Sequence, residues 1–222
     1  MLARRLQQAY NASWRAQARK VGPCMKCASK ICGAVAAAAL WLPAPANCAN
    51  LTVVNVSAPA VNCVFNSSCT VVVDDSVGTL AYTPFGDAAF LQSRTYPGAS
   101  GTPAAGMTAY EYRLDLTQAT GYTECVVGLV IDFGPVQELT YPSNQPGHVF
   151  VTTQGGLGSV GIQSAEQDGT VITFTFSQYL CAGATSYFFG LAAPTVPQST
   201  TALIYGFGNP PFVQTAARVP QH

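Results

Sequence analysis

The chain has 222 residues, of which 49% are hydrophobic and 9% charged, and its formal net charge is +0. All three lysines and four of the seven arginines lie in the first 30 residues, whereas all ten acidic residues lie after position 70. Beyond residue 30, three arginines stand against ten carboxylates, a formal net charge of −7. This balance argues against nucleic acid as a partner and against anionic membranes, because both need clustered lysine and arginine.

Residues 1–49 have the layout of an export signal. Basic residues continue to Lys30 and are followed by an apolar run over 31–42, then by Pro43 and small residues up to Ala49. A run of this length is shorter than the ~20 residues of a membrane-spanning helix. We therefore predict a cleaved signal peptide or leader, with cleavage after Ala46 or after Ala49, and no membrane span after cleavage.

Four cysteines of the remaining chain are candidates for disulfides. Cys63 and Cys69 flank the turn-forming sequence Asn-Ser-Ser, which allows a bond across a short hairpin. Cys125 opens one apolar run and Cys181 follows another, so a bond between them would join two strands that are distant in sequence. Four cysteines allow three pairings, and the alternative is that each is a buried free thiol. Export favours disulfides, because they persist in oxidising compartments.

From residue 50 onward, short apolar and β-branched runs alternate with turn residues, which is typical of an all-β sandwich. We predict a single antiparallel β-sandwich domain over 50–222, Ig-like or jelly-roll-like. The predicted strands lie near 51–57, 69–74, 88–96, 108–117, 125–133, 148–153, 159–164, 170–177, 185–192, 200–207 and 212–218.

The clearest strand is the segment 108–117. Tyr110, Tyr112, Leu114 and Leu116 alternate with charged residues in this segment. Side chains alternate between the two faces of a strand. We therefore expect the aromatic and leucine side chains to pack in the core, and Glu111, Arg113 and Asp115 to face water.

Three features suggest chemistry but fit ordinary structure better. The segment 156–161 matches the glycine pattern of a dinucleotide-binding loop, yet the sequence after it predicts a strand and a turn where that chemistry needs a helix. His148 follows Pro-Gly at the start of a predicted strand, where a structural imidazole is expected. Cys24 and Cys27 have the spacing of half a zinc site, but no second pair completes four ligands. We predict no catalytic, metal-binding or cofactor-binding residues.

Carboxylates and aromatic residues leave two alternatives open. A glycoside hydrolase would use two carboxylates across a cleft, and a carbohydrate-binding module would use exposed aromatic rings. The acidic candidates are Asp74, Asp75, Glu111, Asp115, Glu124, Asp132, Glu138, Glu166 and Asp168. Oxygens of 74–76 or 168–169 could also bind calcium, although neither has the spacing of a known loop. We expect Tyr110, Tyr112, Tyr187, Phe188 and Phe189 to fill the core, while both tryptophans, Trp14 and Trp41, lie in the leader.

The sequence is similar to exported bacterial β proteins that form no named family in three segments: 90–96, the loop to Gly106, and 110–116. The similarity extends through 186–191. It implies an extracytoplasmic location and a β-sandwich fold, and it carries no catalytic residue.

Together these features predict a secreted, periplasmic or cell-surface protein of a bacterium. We expect a non-enzymatic role in surface structure, adhesion or interaction, with a surface polymer or a protein as partner. The alternative is a secreted carbohydrate-active protein.

Overall fold

The computed structural model describes residues 48–80, 89–119, 125–154, 157–207 and 212–222. The chain divides into two units, Met1–Pro45 and Ala46–His222, and all described residues belong to the second. The predicted leader up to residue 47 and both tryptophans lie outside the described residues. No helix in the described ranges is long and apolar enough to span a membrane.

The described residues form strands joined by loops and two short 3-10 helices, Val61–Cys63 and Pro142–Asn144. The strands are β1 (Ala49–Leu51), β2 (Val53–Ser57), β3 (Asp74–Thr79), β4 (Phe90–Pro97), β5 (Thr108–Asp115), β6 (Cys125–Asp132), β7 (Leu139–Tyr141), β8 (Gln145–Gly147), β9 (Val149–Gln154), β10 (Ile162–Asp168), β11 (Val171–Cys181), β12 (Phe188–Ala193), β13 (Pro197–Phe207) and β14 (Phe212–Pro220).

Two six-stranded sheets pack face to face. Sheet one has the order β1-β10-β11-β6-β13-β14, and sheet two has the order β2-β9-β12-β5-β4-β3. The pairings are antiparallel except that β2 runs parallel to β9, and β7 and β8 form a separate hairpin. The predicted all-β sandwich is therefore confirmed.

The main hydrophobic core lies between the two sheets. It contains Tyr110, Tyr112 and Leu114 of β5, together with Phe174 of β11 and Phe189 of β12. Each side chain of this size contributes about 1.5–3 kcal/mol when it is moved from water to a core. The prediction for the apolar face of 108–117 is confirmed.

Both lateral edges of the sandwich are closed. At one edge the chain itself crosses between the sheets, because β1 pairs with β10 in sheet one and β2 pairs with β9 in sheet two. At the other edge Arg218 of β14 forms an ion pair with Asp74 of β3 at 3.0 Å. The Thr215 hydroxyl also donates to the carbonyl of Thr79 at 3.2 Å.

Three strand predictions differ from the structure. The segment 69–74 alternates apolar residues but does not form a ladder, and the strand begins only at Asp74. The predicted strand 159–164 lies later, over β10, and its acidic end continues the strand where a turn was expected. The hairpin β7–β8 lies in a segment where no strand was predicted. It turns at Asn144, which has a φ of +57° that asparagine tolerates.

Candidate functional site

A second hydrophobic cluster covers the outer face of sheet two. We call it the outer cluster; it contains Val54, Val56, Ala58, Val64, Phe65, Tyr96, Ala104, Ala109, Leu139, Tyr141, Phe150 and Ala192. Several members come from the segment 58–73 between β2 and β3, which we call the cap loop. Phe65 of this loop packs edge-on against Phe150 of β9, with ring centroids 5.0 Å apart. The cap loop is therefore anchored to the sheet by buried aromatic contacts.

The outer cluster changes the environment of the charged face of β5. Glu111, Arg113 and Asp115 were predicted to face water, and this is wrong: Glu111 is 0% exposed and Asp115 only 7%. The alternation itself is as predicted, since these residues point away from the main core. A second layer covers that face because the cap loop and β7 pack on it, which alternation within one strand does not reveal.

Glu111 is the most deeply buried acid of the described residues. The Tyr96 hydroxyl donates a hydrogen bond of 2.5 Å to Glu111 Oε1, whereas Oε2 accepts no hydrogen bond. Burial raises the pKa of the Glu111 carboxyl from 4.5 to about 8, and the Tyr96 hydrogen bond and the charge of Arg94 offset only part of this effect. Burial, followed by the charge of Glu111, also raises the pKa of Tyr96. Burial thus favours the protonated form of the Glu111 carboxyl group.

Arg94 of β4 joins three parts of the molecule. Its Nη1 lies 3.6 Å from Glu111 Oε2 on β5, and its Nε lies 3.7 Å from Asp75 Oδ2 on β3. Its Nη2 donates a hydrogen bond of 2.9 Å to Oδ1 of Asn62, in the 3-10 helix of the cap loop. One guanidinium group therefore links two strands to the loop that covers them.

A second arginine extends the same set of contacts along the sheet. Gln92 donates to Asp75 Oδ2 at 2.7 Å and accepts from Nε of Arg113 at 3.1 Å. Arg113 Nη2 lies 3.2 Å from Asp115 Oδ2. We call the connected residues the polar network: Asp75, Gln92, Arg94, Tyr96, Glu111, Arg113 and Asp115.

Phe188 lies between the two arginines of the polar network. The Cζ atoms of Arg94 and Arg113 are 5.3 Å and 5.2 Å from the centroid of its ring. Phe188 is buried, as predicted, but it lies on the outer face of sheet two, while Phe189 lies in the main core. The ring stabilises both cations by cation–π attraction.

The charges of the polar network balance only when Glu111 is neutral. Asp75 and Asp115 then match Arg94 and Arg113 one to one. An ionised Glu111 would add a third negative charge, and the charge of Asp75 already opposes its ionisation. With Glu111 neutral, the polar network carries no net charge.

This arrangement does not form an open carboxylate pair. Glycoside hydrolysis requires a carboxyl group that touches the substrate, and the Glu111 side chain is sealed beneath the outer cluster. In this conformation the polar network fixes the cap loop on sheet two.

The predicted disulfides have their expected places. Cys63 and Cys69 are at bonding distance within the cap loop, with an S–S distance of 2.11 Å. Cys125 and Cys181 are at bonding distance across the paired strands β6 and β11, with an S–S distance of 2.02 Å. Both pairs are the ones that the sequence suggested.

The remaining candidates take part in ordinary structural contacts. His148 Nδ1 accepts a hydrogen bond from the backbone amide of Thr52 at 3.1 Å, where β2 begins. Gly158 has a φ of +120°, and β10 follows shortly after it; Gly156 lies outside the described residues. The segment is thus followed by a strand, as predicted.

The calcium and carboxylate candidates are dispersed. Asp74 and Asp75 are paired with arginines, Asp132 Oδ1 lies 3.1 Å from His222 Nε2, and Glu124 lies outside the described residues. No group of three or more His, Cys, Asp or Glu side chains within the described ranges could hold a metal ion.

The partners of Glu111 were missed at the sequence level. Tyr96 and Arg94 alternate with Thr95 and Ser93 on β4, and Arg113 lies on the neighbouring strand. One signal was available: beyond residue 30 the chain has only three arginines and no lysine, and two of those arginines lie in strongly alternating segments. Asn62 carried no signal, because its contact depends on how the cap loop folds back.

No family model matches the chain, and neither a curated protein nor a solved structure matches it.

Proposed function

We propose that the chain is an exported bacterial β-sandwich protein with a structural or interaction role at the cell surface, in the periplasm or in the medium. The observation that carries this proposal is the presence of two cysteine pairs at disulfide distance in one sandwich. Disulfides persist in oxidising compartments and are rare in the reducing cytoplasm. The basic, apolar and small-residue order of 1–49 supports the same location.

The polar network supports an interaction role over catalysis. Arg94 and Arg113 are held by acidic, amide and aromatic groups of the chain itself. Side chains that are paired within the chain stabilise a rigid scaffold. Recognition of a partner then depends on the outer surfaces of that scaffold. A surface polymer or a protein is the partner that fits such a scaffold.

Cell fractionation tests the proposed location. The full chain, with an epitope tag after His222, is expressed in a bacterial host beside a variant that lacks residues 1–49. We expect the full chain in the periplasm, medium or surface fraction at a reduced mass, and the variant in the cytoplasm. Recovery of the full chain in the cytoplasm at its complete mass would refute the proposal.

A secreted glycoside hydrolase is the second candidate. The observation in its favour is the raised pKa of Glu111, since general acids of this class use such a carboxyl group. This function is the second candidate because the Glu111 side chain is buried and does not reach a substrate. Assay of the purified protein on a panel of nitrophenyl glycosides tests it: activity that is lost in Glu111→Gln would establish the hydrolase, whereas equal background rates would exclude Glu111 as its acid.

A further inference from the structure

The cap loop contains two arms that are held on the sheet in different ways. The first arm, 61–65, is anchored by contacts that do not involve its disulfide. Phe65 is buried, and its carbonyl oxygen accepts hydrogen bonds from the amide of Ala99 at 2.8 Å and from the hydroxyl of Thr102 at 3.2 Å. Asn62 of the same arm accepts the hydrogen bond from the arginine of β4 described above. The first arm is therefore fixed on sheet two.

The second arm, 66–73, is held less firmly. Half of its residues are exposed: Ser67, Ser68, Thr70 and Val72. Val71 and Val73 pack against the outer cluster, but both are only partly buried. Within the described structure, residues 70–73 belong to no strand. The hydrogen bonds of a sheet therefore do not hold this arm in place.

The disulfide between Cys63 and Cys69 joins the two arms. Cys63 belongs to the first arm and Cys69 to the second, and both residues are half-buried. Cys69 has a φ of +59°, in the left-handed region that residues with a side chain rarely adopt. A short turn supports this conformation, because the Cys69 amide donates to the carbonyl of Asn66 at 2.9 Å and Asn66 Oδ1 accepts from the amide of Ser68 at 3.1 Å. One end of the bond thus lies in a backbone conformation that a free cysteine disfavours.

The disulfide between Cys125 and Cys181 has a different setting. These two residues are direct partners in the antiparallel ladder of β6 and β11, so the strand pairing keeps their sulfur atoms close even after reduction. Two thiols that stay close together reoxidise readily, because their effective concentration is high. Cys69 lies outside the ladders of the described residues, and its left-handed conformation can relax once the bond is broken. Reduction is therefore more favourable in the cap loop.

We infer that the Cys63–Cys69 disulfide is a reducible latch of the cap loop and that a dithiol is the reactant that opens it. A thiolate of the dithiol attacks one sulfur atom of the pair, the S–S bond breaks, and a mixed disulfide forms. The second thiol of the dithiol then displaces the cysteine from the mixed disulfide. The protein gains two electrons and two protons as two cysteine thiols, and the dithiol leaves as its own disulfide.

Reduction releases the second arm and leaves the first in place. The contacts of Asn62 and Phe65 do not depend on the bond, whereas Val71 and Val73 lose the tether that holds them on the outer cluster. Opening of the second arm uncovers part of the apolar outer cluster on sheet two. The inference rests on the oxidised state in the proposed function and adds a means of regulation to it.

A redox titration of the folded full chain tests the inference. The purified protein is oxidised with oxidised glutathione, and peptide mapping checks both disulfides. It is then equilibrated, without denaturant, at defined ratios of reduced to oxidised dithiothreitol, and each cysteine pair is quantified by differential alkylation and mass spectrometry. The variants are Asn66→Ala, which removes the side-chain acceptor of the turn, and the control Ser67→Ala, which changes an exposed side chain of the same turn.

We expect half-reduction of the Cys63–Cys69 pair at a dithiothreitol ratio about tenfold lower than that for the Cys125–Cys181 pair. Asn66→Ala should lower the ratio for the cap-loop pair severalfold, because the turn then supports the oxidised form less, and Ser67→Ala should leave it unchanged. In protein reduced only in the cap loop, hydrogen exchange should become faster over 66–73 and stay slow over 61–65.

The inference is overturned if the Cys125–Cys181 pair is reduced first or at the same ratio, or if reduction of the cap-loop pair leaves exchange over 66–73 unchanged. Because the protein is oxidised after purification, these results do not depend on where the chain was located in the cell. Correct export combined with either result would leave the proposed function intact. Retention in the cytoplasm combined with the expected titration would refute the proposed function alone.

Discussion

At the scale of single residues, the main feature of the structure is one buried acidic side chain. Glu111 is fully enclosed, receives a hydrogen bond from Tyr96 and lies near Arg94. The alternation of β5 predicted which way Glu111 points, but not that a second layer covers it. Burial of this kind depends on where a distant loop packs, and a single strand does not carry that information.

The raised pKa of Glu111 predicts a pH-dependent stability. Its folded value of about 8 exceeds the ordinary 4.5, so the folded state holds a proton that the unfolded state has lost between those values. The stabilisation is complete below about pH 4.5 and is lost as the pH rises through about 8. In urea unfolding we expect a loss on the order of a few kcal/mol between pH 6 and pH 9. Glu111→Gln should remove most of that loss, whereas exposed Glu138→Gln should keep it; equal pH profiles for both variants would contradict the assignment.

The hydrogen bond from Tyr96 should matter more when Glu111 is ionised, because a charged acceptor strengthens it. Tyr96→Phe is expected to cost about 1 kcal/mol near pH 6 and about 2 kcal/mol or more near pH 9. Tyr112→Phe is the matched control, since its hydroxyl donates to the neutral carbonyl of Arg218 at 2.6 Å. Its cost should not change with pH. Denaturant midpoints of both variants at the two pH values provide the measurement.

At the scale of elements, most strands could be predicted, because alternation and turn residues act locally. Thr108–Asp115 and Cys125–Asp132 lie within one or two residues of the predicted ranges. The cap loop shows where local patterns fail. Val71 and Val73 alternate with exposed Val72 as in a strand, but they pack against the outer cluster without a ladder partner. Whether such a segment forms a strand depends on its pairing with a segment that is distant in sequence.

The two disulfides should contribute unequally to stability. Cys63 and Cys69 are 6 residues apart, whereas Cys125 and Cys181 are 56 apart, and the longer loop loses more entropy in the unfolded chain. We expect the double serine variants to lose about 2 and about 4 kcal/mol, respectively. Chemical unfolding of the two variants measures the difference, and a larger loss from the cap-loop pair would reverse this order.

At the scale of the whole molecule, the sandwich class followed from composition and periodicity, but the closure of its edges did not. Contacts between β3 and β14 join residues more than a hundred positions apart, such as Asp74 and Arg218. The contact between the Tyr205 hydroxyl of β13 and the Thr175 hydroxyl of β11 likewise spans β6 and depends on three strands that meet only in the fold. Sequence patterns predict that the chain forms stacked sheets. The pairing of strands that are distant in sequence decides which side chains lie together on each surface.

The closed edge makes Gly78 sensitive to substitution. A Cβ atom there would lie 2.4 Å from the carbonyl oxygen of Ala216 on β14. Gly78→Ala should therefore push the two strands apart and cost about 1–3 kcal/mol. At Gly161 the nearest atom to a Cβ is 3.8 Å away, so Gly161→Ala is the control and should be nearly neutral. Thermal unfolding distinguishes the two, and equal melting temperatures would argue against the close approach of β3 and β14.

We propose that this chain matures into an oxidised sandwich outside the cytoplasm, and non-reducing peptide mapping of the exported protein tests this proposal most directly. We expect an N-terminus at Asn47 or Asn50, one linked peptide pair containing Cys63 and Cys69, and a second containing Cys125 and Cys181. Protein that retains residues 1–46, and in which Cys63, Cys69, Cys125 and Cys181 are all alkylated as free thiols, would contradict this proposal.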